Sequence, residues 1–494
     1  MTKRAQVCRR WLWILIAGAW LTAIVLGAAP SNSTADETYD VVVSNARVVD
    51  PESGLDGIRD VGITGGVIRA VSEKRLKGKT TLLCTGLVVA PGFIDLHSHG
   101  QDDENYRYKA MDGVTTALEL EVGNNDVDRW YQSRAGKALI NYGVSIGHIP
   151  VRMAVMHDPG SFLPTGDAAH REAKQAEVDE IKRQIETGLK LGALGVGFGI
   201  NYTAAASRWE ILEMFRVAAS GNAPCFVHLR YAGLQEPESA VSALEEVLAA
   251  AAVSGAPLHV VHISSTGLRA TPQLLQMITE ARSRGMDVTT ECYPYTATQT
   301  RIESAIYDEG WREKFGIDYK DLQWVDTGER LTADSFARYR KIGGSVIGHA
   351  IPEEVARTAV ASPLTMIASD GLIEKGKGHP RGSGSYARVL GRYVREQKVL
   401  TLAEAIRKMT LMPAQRLERL APMMKNKGRI RVGADADLTV FDESKVIDQS
   451  TYEAPSKYSE GIRHVLVNGV LVVRDGQLQN GVMPGRAVRA PVKR

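Results

Sequence analysis

The sequence predicts an α/β fold: a (β/α)8 barrel of the TIM type, carrying a small β-sandwich composed of both chain ends. Three observations predict it. Apolar runs recur between residues 93 and 369 with helical segments between them, the alternation that builds a parallel sheet closed into a barrel. Both chain ends have another texture, short β-rich runs punctuated by glycine, and neither end alone has strands enough to bury a core. Several of the apolar runs end in histidine or aspartate, where a barrel gathers its strand ends. An open doubly wound sheet is the rival. The lack of a Gly-rich phosphate loop after any run weighs against it.

The 494 residues, 44% hydrophobic and 24% charged, suffice for a large core and more than one domain. The formal net charge is +3, and Lys3, Arg4, Arg9 and Arg10 more than account for it. The body is near neutral, which gives no reason to expect nucleic acid as a partner. Those four cations, the apolar stretch 11–27 and the small residues Ser33-Thr34-Ala35 predict a signal peptide over 1–35 and export to the periplasm or the medium. Left uncleaved, the stretch would be a membrane anchor near the short limit of a span. Cys8 lies in that segment. Cys84, Cys225 and Cys292 are widely spaced and read as buried small apolar residues rather than a disulfide framework.

In chain order, residues 41–43, 46–49 and 67–71 read as strands set off by Gly54, Gly57, Gly65-Gly66 and Gly78. At the far end, 437–441 reads as a strand and 464–473 as a hairpin turning at Asn468-Gly469. Segments 36–90 and 428–494 are therefore expected to form one composite β-domain around a barrel at 91–427. Barrel strands are expected near 93–97, 115–122, 144–151, 194–199, 225–229, 258–263, 286–292 and 364–369, with helices such as 173–191 and 238–253 between them. Residues 303–343 are polar and strand-poor, and read as an insertion that lids the site.

The chemistry starts at His97-Ser98-His99, just past the apolar run 88–96. Residues i and i+2 of a strand face the same side, so both imidazoles can bind one ion. Alone, such a pair is more often two surface histidines. Here His228 and His262 end two further runs and Asp370 follows the last, which together describe an open metal site for one or two divalent ions. Glu119 and Glu121 share a face of the second strand. A glutamate against helices would be costly, so they are expected inside, with Glu121, nearer the carboxyl end, as the bridging ligand and Glu119 as the alternative. Such an ion lowers the pKa of bound water to about 7 and polarises a carbonyl. The expected reaction is amide hydrolysis by metal hydroxide, with Asp370 carrying the proton from water to the leaving nitrogen. His148 and His349 are weaker candidates, and His157, His170, His259 and His464 weaker still. Arg230, two residues after His228, is a candidate anion binder.

Pro91-Gly92-Phe93-Ile94-Asp95-Leu96-His97-Ser98-His99, His262-Ile263-Ser264-Ser265 and Ser369-Asp370-Gly371 resemble the amidohydrolase superfamily. Glu291-Cys292-Tyr293-Pro294-Tyr295-Thr296-Ala297, His379-Pro380-Arg381, the segments 388–396 and 403–414 and the tail 461–469 resemble the N-acyl-D-amino-acid deacylases. The resemblance implies zinc, held by His97, His99, His228, His262 and Asp370. It also implies a small N-acyl amino acid as substrate, its α-carboxylate held by Arg381 with Tyr202 and either Tyr293 or Tyr295. An arginine fork matches a carboxylate in the same way. Two departures stand out. The stretch after the second strand lacks the cysteine ligand of that family, so a glutamate takes its place and makes a harder site. Ser264 and Ser265 stand where the family has a lysine after His262. The strand at 193–199 also lacks the lysine that bridges metals elsewhere in the superfamily, and Lys190 before it is expected to face solvent. The nearest rival is a dihydroorotase- or hydantoinase-like cyclic amidase or a dipeptidase. A rival of another class is a non-catalytic binding protein that keeps the fold.

Overall fold

The computed structural model describes residues 37–493. The expected signal segment, 1–35, lies outside the described residues. Among those described, no helix is long and apolar enough to cross a membrane.

The chain opens with β1 (Thr38–Asp50), β2 (Leu55–Thr64), β3 (Val67–Ser72), β4 (Lys77–Leu83) and β5 (Val88–Pro91). β2 runs antiparallel to β1 and β3 to β2, while β4 and β5 each lie parallel to β1. β1 holds two partners on one edge because it is 13 residues long and bulges between Val43 and Ala46, where Asn45 takes φ 59°. Neither β2 nor β4 was legible as an apolar run. Asp56, Arg59 and Asp60 interrupt the first, and Lys77 and Lys79 the second.

The barrel strands are β6 (Phe93–Asp95), β7 (Val114–Asn124), β8 (Asn141–Gly147), β9 (Val196–Gly199), β10 (Cys225–His228), β11 (Leu258–Val260) and β12 (Val288–Cys292). A cap follows, made of β13 (Thr298–Arg301), β14 (Leu322–Trp324) and β15 (Ser345–Gly348). β16 (Thr365–Ile367) completes the barrel. The parallel order is β6-β7-β8-β9-β10-β11-β12-β16, a nearly closed ring. The seam between β16 and β6 closes just past the strands. There the Asp370 amide donates to the His97 carbonyl at 2.7 Å and the His99 amide to the Gly371 carbonyl at 3.0 Å.

Each crossover helix buries one stripe. Ala240–Ser254 is representative: Ser239 caps it by accepting from the Ser242 amide, and Gly255 ends it at φ 79°. Ala240, Ala243, Leu244, Val247, Ala250 and Ala251 form its buried face. Inside the barrel, Ile94, Leu118, Leu120, Phe226, Val261 and Met366 meet in one apolar cluster, so the ring is a packed core rather than a pore. The third barrel strand ends at Gly147, short of the expected 151, and His148 opens the helix His148–Val155.

After a two-residue hairpin, β17 (Ile373–Glu374) and β18 (Lys377–Gly378), the chain returns to its start. β19 (Leu438–Phe441) pairs antiparallel with β5, then β20 (Ile462–Val467), β21 (Val470–Arg474) and β22 (Gln477–Leu478) follow outward. Asn468 and Gly469, at φ 49° and 79°, make the turn between β20 and β21. Both chain ends thus share one mixed nine-stranded sheet. Val48, Val61, Ile68, Leu82, Val89, Leu438 and Leu466 of its strands meet in one core. The sheet passes to the barrel at Gly92, where a Cβ would lie 2.2 Å from the Thr115 hydroxyl oxygen.

The insertion expected at 303–343 belongs to the cap. β15 lies between β13 and β14 in a three-stranded antiparallel sheet. Trp311, Phe336, Tyr307 and Tyr319 pack against one another beside it.

Candidate metal centre

His97 and His99 leave β6 just past its end, and β7 projects beyond its neighbours to meet them. Leu118 and Leu120 of β7 join the apolar cluster, while Glu119 and Glu121, where the register with β8 slips between Glu119 and Asn124, reach the histidines. His97 Nε2 lies 3.2 Å from His99 Nε2, 3.0 Å from Glu121 Oε2 and 3.4 Å from Asp370 Oδ1. His99 Nε2 lies 3.1 Å from the same Asp370 oxygen. On the far side of Glu121, Oε1 lies 2.8 Å from His228 Nδ1 and 3.6 Å from His262 Nε2. Two groups of ligand atoms thus share Glu121: one of His97, His99, Glu121 and Asp370, the other of Glu121, His228 and His262. His262 and Asp370 both sit at positive φ, 30° and 52°. Non-glycine residues reach that region at a cost that the surrounding structure must hold in place.

The residues fit a divalent ion. Three imidazoles are tied at the nitrogen that faces away: His97 Nδ1 to Glu291 at 2.7 Å, His99 Nδ1 to Glu119 at 2.8 Å, and His262 Nδ1 to Ser265 at 3.0 Å. Each therefore presents Nε2 to the centre, as a metal-binding histidine does. The charge balance also asks for a cation. Burial opposes charge on His97, but the Asp370, Glu121 and Glu291 carboxylates outweigh it and lift the imidazole to about 10. Burial likewise opposes charge on Asp370, yet Arg381 and His97 hold its carboxyl well below the usual range. The donor set is nitrogen and oxygen. Cys84, Cys225 and Cys292 are buried free thiols, and burial pushes Cys84 up to about 12 and Cys292 to about 11.

A relay lies behind the site that the sequence did not reveal. Glu291 on β12 bridges His97 to His259 Nε2, 3.1 Å away, and His259 Nδ1 meets the Thr289 hydroxyl at 2.7 Å. Burial works against the Glu291 charge, but His97 and His259 hold its carboxyl down to about 2. The signal available was a glutamate in an apolar run two residues before Tyr293.

A pocket of about 980 Å³, its open mouth included, stands over this centre, with Val122, Leu163, Ile306, Tyr307 and Phe315 among its apolar walls. Tyr202, Tyr293 and Arg381 line it too. The Arg381 guanidinium lies 2.9 Å from Asp370 Oδ2 and 4.5 Å over the Tyr293 ring. It is buried: Nη1 is the nitrogen paired with Asp370, Nη2 donates to the Gln299 carbonyl at 3.3 Å, and Nε has no hydrogen-bond partner among the described residues. The Tyr202 hydroxyl meets the Thr300 hydroxyl at 3.0 Å. Burial, then the nearby Glu121 charge, keeps that phenol protonated. The loop 157–166 closes one side. Asp158 accepts the amides of Gly160, Thr165, Gly166 and Ala168 at 2.9–3.0 Å. Phe162 at its tip stands 5.6 Å from the His99 ring.

Other candidates lie elsewhere. Tyr295 points away from the pocket, its hydroxyl on Asp448 and its ring under Arg388. Arg230 is a correction: its guanidinium is held by Glu246 at 2.6 and 2.8 Å and by the Ala204 and Ala206 carbonyls, and it does not line the pocket. β10 ends at His228, so strand alternation does not carry on to residue 230. His148 pairs with buried Glu210, and His349 with Gln323 in the cap. Lys190 is exposed and pairs with Glu186.

A family model described as Amidohydrolase family matches residues 152–473. The sequence is 30% identical to an N-acyl-D-glutamate deacylase of Alcaligenes xylosoxydans xylosoxydans, over 92% of this chain and 97% of that one. It is 28% identical to a D-aminoacylase of the same organism, over 92% and 98%. Among solved structures, an N-acyl-D-glutamate deacylase from Bordetella bronchiseptica, complexed with zinc and a phosphonate inhibitor, matches with a TM-score of 0.78. The identity is 27%, and the match covers 92% of this chain and 100% of that one.

Proposed function

Since the chain belongs to the amidohydrolase superfamily and to its D-aminoacylase (N-acyl-D-amino-acid deacylase) family, and is a metal-dependent amidohydrolase, we propose that it hydrolyses the amide of N-acyl-D-amino acids. The observation that carries this reading is Arg381, a buried guanidinium that lines the pocket beside Asp370 and whose Nε has no hydrogen-bond partner among the described residues. A planar fork placed so meets a carboxylate. Tyr202 donates to the same group as a neutral phenol, and Tyr293 backs the guanidinium with its ring.

Zinc is the ion proposed, one or two per chain. His97, His99, Glu121 and Asp370 would hold one, and Glu121, His228 and His262 the other. When bound, such an ion supplies Lewis acidity toward the amide carbonyl and toward water. Asp370 keeps its charge because Arg381 and His97 stabilise it. Its Oδ1 faces the imidazole pair while Oδ2 rests on Arg381. Oδ1 is the atom placed to take a proton from the attacking water and return it to the leaving nitrogen. Glu291 and Glu119 fix the rings of His97 and His99. The cap and the loop 157–166 keep bulk water from the reacting carbonyl. Export is proposed from the N-terminal segment alone, and the mass of the mature chain tests it.

The deciding experiment measures zinc per chain and hydrolysis of matched N-acetyl-D- and N-acetyl-L-amino acids. Bound zinc with D-selective acetate release supports the proposal. Hydrolysis of hydantoins without deacylation would move the substrate to cyclic amides. Neither metal nor turnover would leave a binding protein that keeps the fold.

A further inference from the structure

The seam of the barrel holds a charge that this chemistry does not use. Lys109, on the helix Asp103–Met111, is 1% exposed. Its ammonium lies 2.9 Å from Asp95 Oδ2, and Asp95 is wholly buried. A lysine so far from water persists only when it is paired, so these partners belong to the design of the fold.

The same ammonium donates to Ser369 Oγ at 2.5 Å. That hydroxyl donates in turn to the His97 carbonyl at 3.1 Å and accepts the Gly371 amide at 3.1 Å. One proton given and two accepted fill its hydrogen-bonding capacity. Asp95 Oδ1 accepts the Ser369 amide at 3.0 Å and the His97 amide at 3.2 Å. The two groups that Lys109 holds therefore grip the backbone on both sides of Asp370 and at both ends of His97. Asp370 sits between them at φ 52°. The helix adds a second clasp, since the Asn105 side chain exchanges two hydrogen bonds of 2.9 Å with the Ile373 backbone.

We propose that Lys109 is a positioning residue: through Asp95 and Ser369 it sets the placement of His97 against Asp370 across the barrel seam, and with it the affinity of the metal centre and the reach of the proton carrier. The second clause rests on the reading of Asp370 given above.

The test uses the whole chain with Lys109→Met, Ser369→Ala and the double variant, each shown to be folded by its thermal midpoint. Zinc dissociation constants come from competition with a chelator, and kcat and KM from any N-acyl-D-amino acid the unaltered chain hydrolyses. The expected result is a zinc constant or a kcat weakened about tenfold or more in each single variant, with KM within about twofold. The double variant loses no more than Lys109→Met, because both changes cut one tether. Zinc constants and kcat within twofold of the unaltered chain in both single variants would overturn the proposal. So would losses that multiply in the double. Should Lys109→Met fail to fold, Ser369→Ala decides alone, since it leaves the Lys109–Asp95 pair intact. A chain that binds zinc but cleaves no N-acyl-D-amino acid overturns the substrate reading only, and the zinc constants then decide Lys109.

Discussion

Asp370 and Arg381 touch each other, yet they are given different tasks, and single substitutions separate them. Asp370→Asn is expected to cut kcat by about 10²- to 10⁴-fold, with secondary structure retained by circular dichroism. Arg381→Met is expected to raise KM for N-acyl-D-amino acids by about tenfold or more but not for an N-acyl amine without a carboxylate, while kcat falls for both because Asp370 loses the cation beside it. Equal losses on both substrates would show that Arg381 acts on Asp370 alone. The ligand-type residues were legible because each of His97, His228, His262 and Asp370 follows an apolar run, and a barrel brings such ends together. What was not legible depends on distant strands or on local backbone. Glu291 and His259 lie on neighbouring strands, and Glu291 meets His97, just past β6, only once the ring has formed. Arg230 was misread because alternation was carried past the last strand residue. The positive φ of His262 and Asp370 leaves no mark in a histidine or an aspartate.

At the scale of elements, the barrel strands announced themselves by burial on both faces. β7 is buried from Val114 through Val122, so its residues read as an apolar run broken by Thr115, Thr116 and the two glutamates. β2 and β4, half-exposed strands of the terminal sheet, carry charges and did not stand out. The loop 157–166 was equally silent, because its order comes from one carboxylate rather than from a pattern. Burial opposes the Asp158 charge, but the backbone amides of Thr165, Gly160, Ala168 and Gly166 win and lower its pKa. Asp158→Ala is therefore expected to free those amides, open the loop to limited proteolysis and raise KM by about tenfold. Zinc content should not change, because Phe162 and Leu163 line the pocket without offering a ligand atom. An uncut loop with unchanged KM would show that the other pocket walls suffice.

At the scale of the whole molecule, Asp112 joins the barrel to the terminal sheet. Its carboxylate accepts the Tyr386 and Ala387 amides and the Ser459 hydroxyl. Burial nevertheless pushes its pKa up to about 7. The folded chain then binds a proton that the unfolded chain, with a carboxyl near 3.9, has already lost. This contribution is full below about pH 4 and is lost as pH rises through about 7. Asp112→Asn should remove that slope from the difference in denaturation midpoints, and a slope that persists would assign it to other groups. The seam between β16 and β6 has a consequence of its own. The amides of His99 and Asp370 close the barrel and belong to residues of the candidate metal centre. Any ion that holds those side chains also holds the peptide groups, so occupancy and opening of the ring are linked. Under native conditions, deuterium should enter these two amides more slowly as zinc is added, while the Cys225 amide, held by the Pro257 carbonyl in the body of the barrel, keeps its rate.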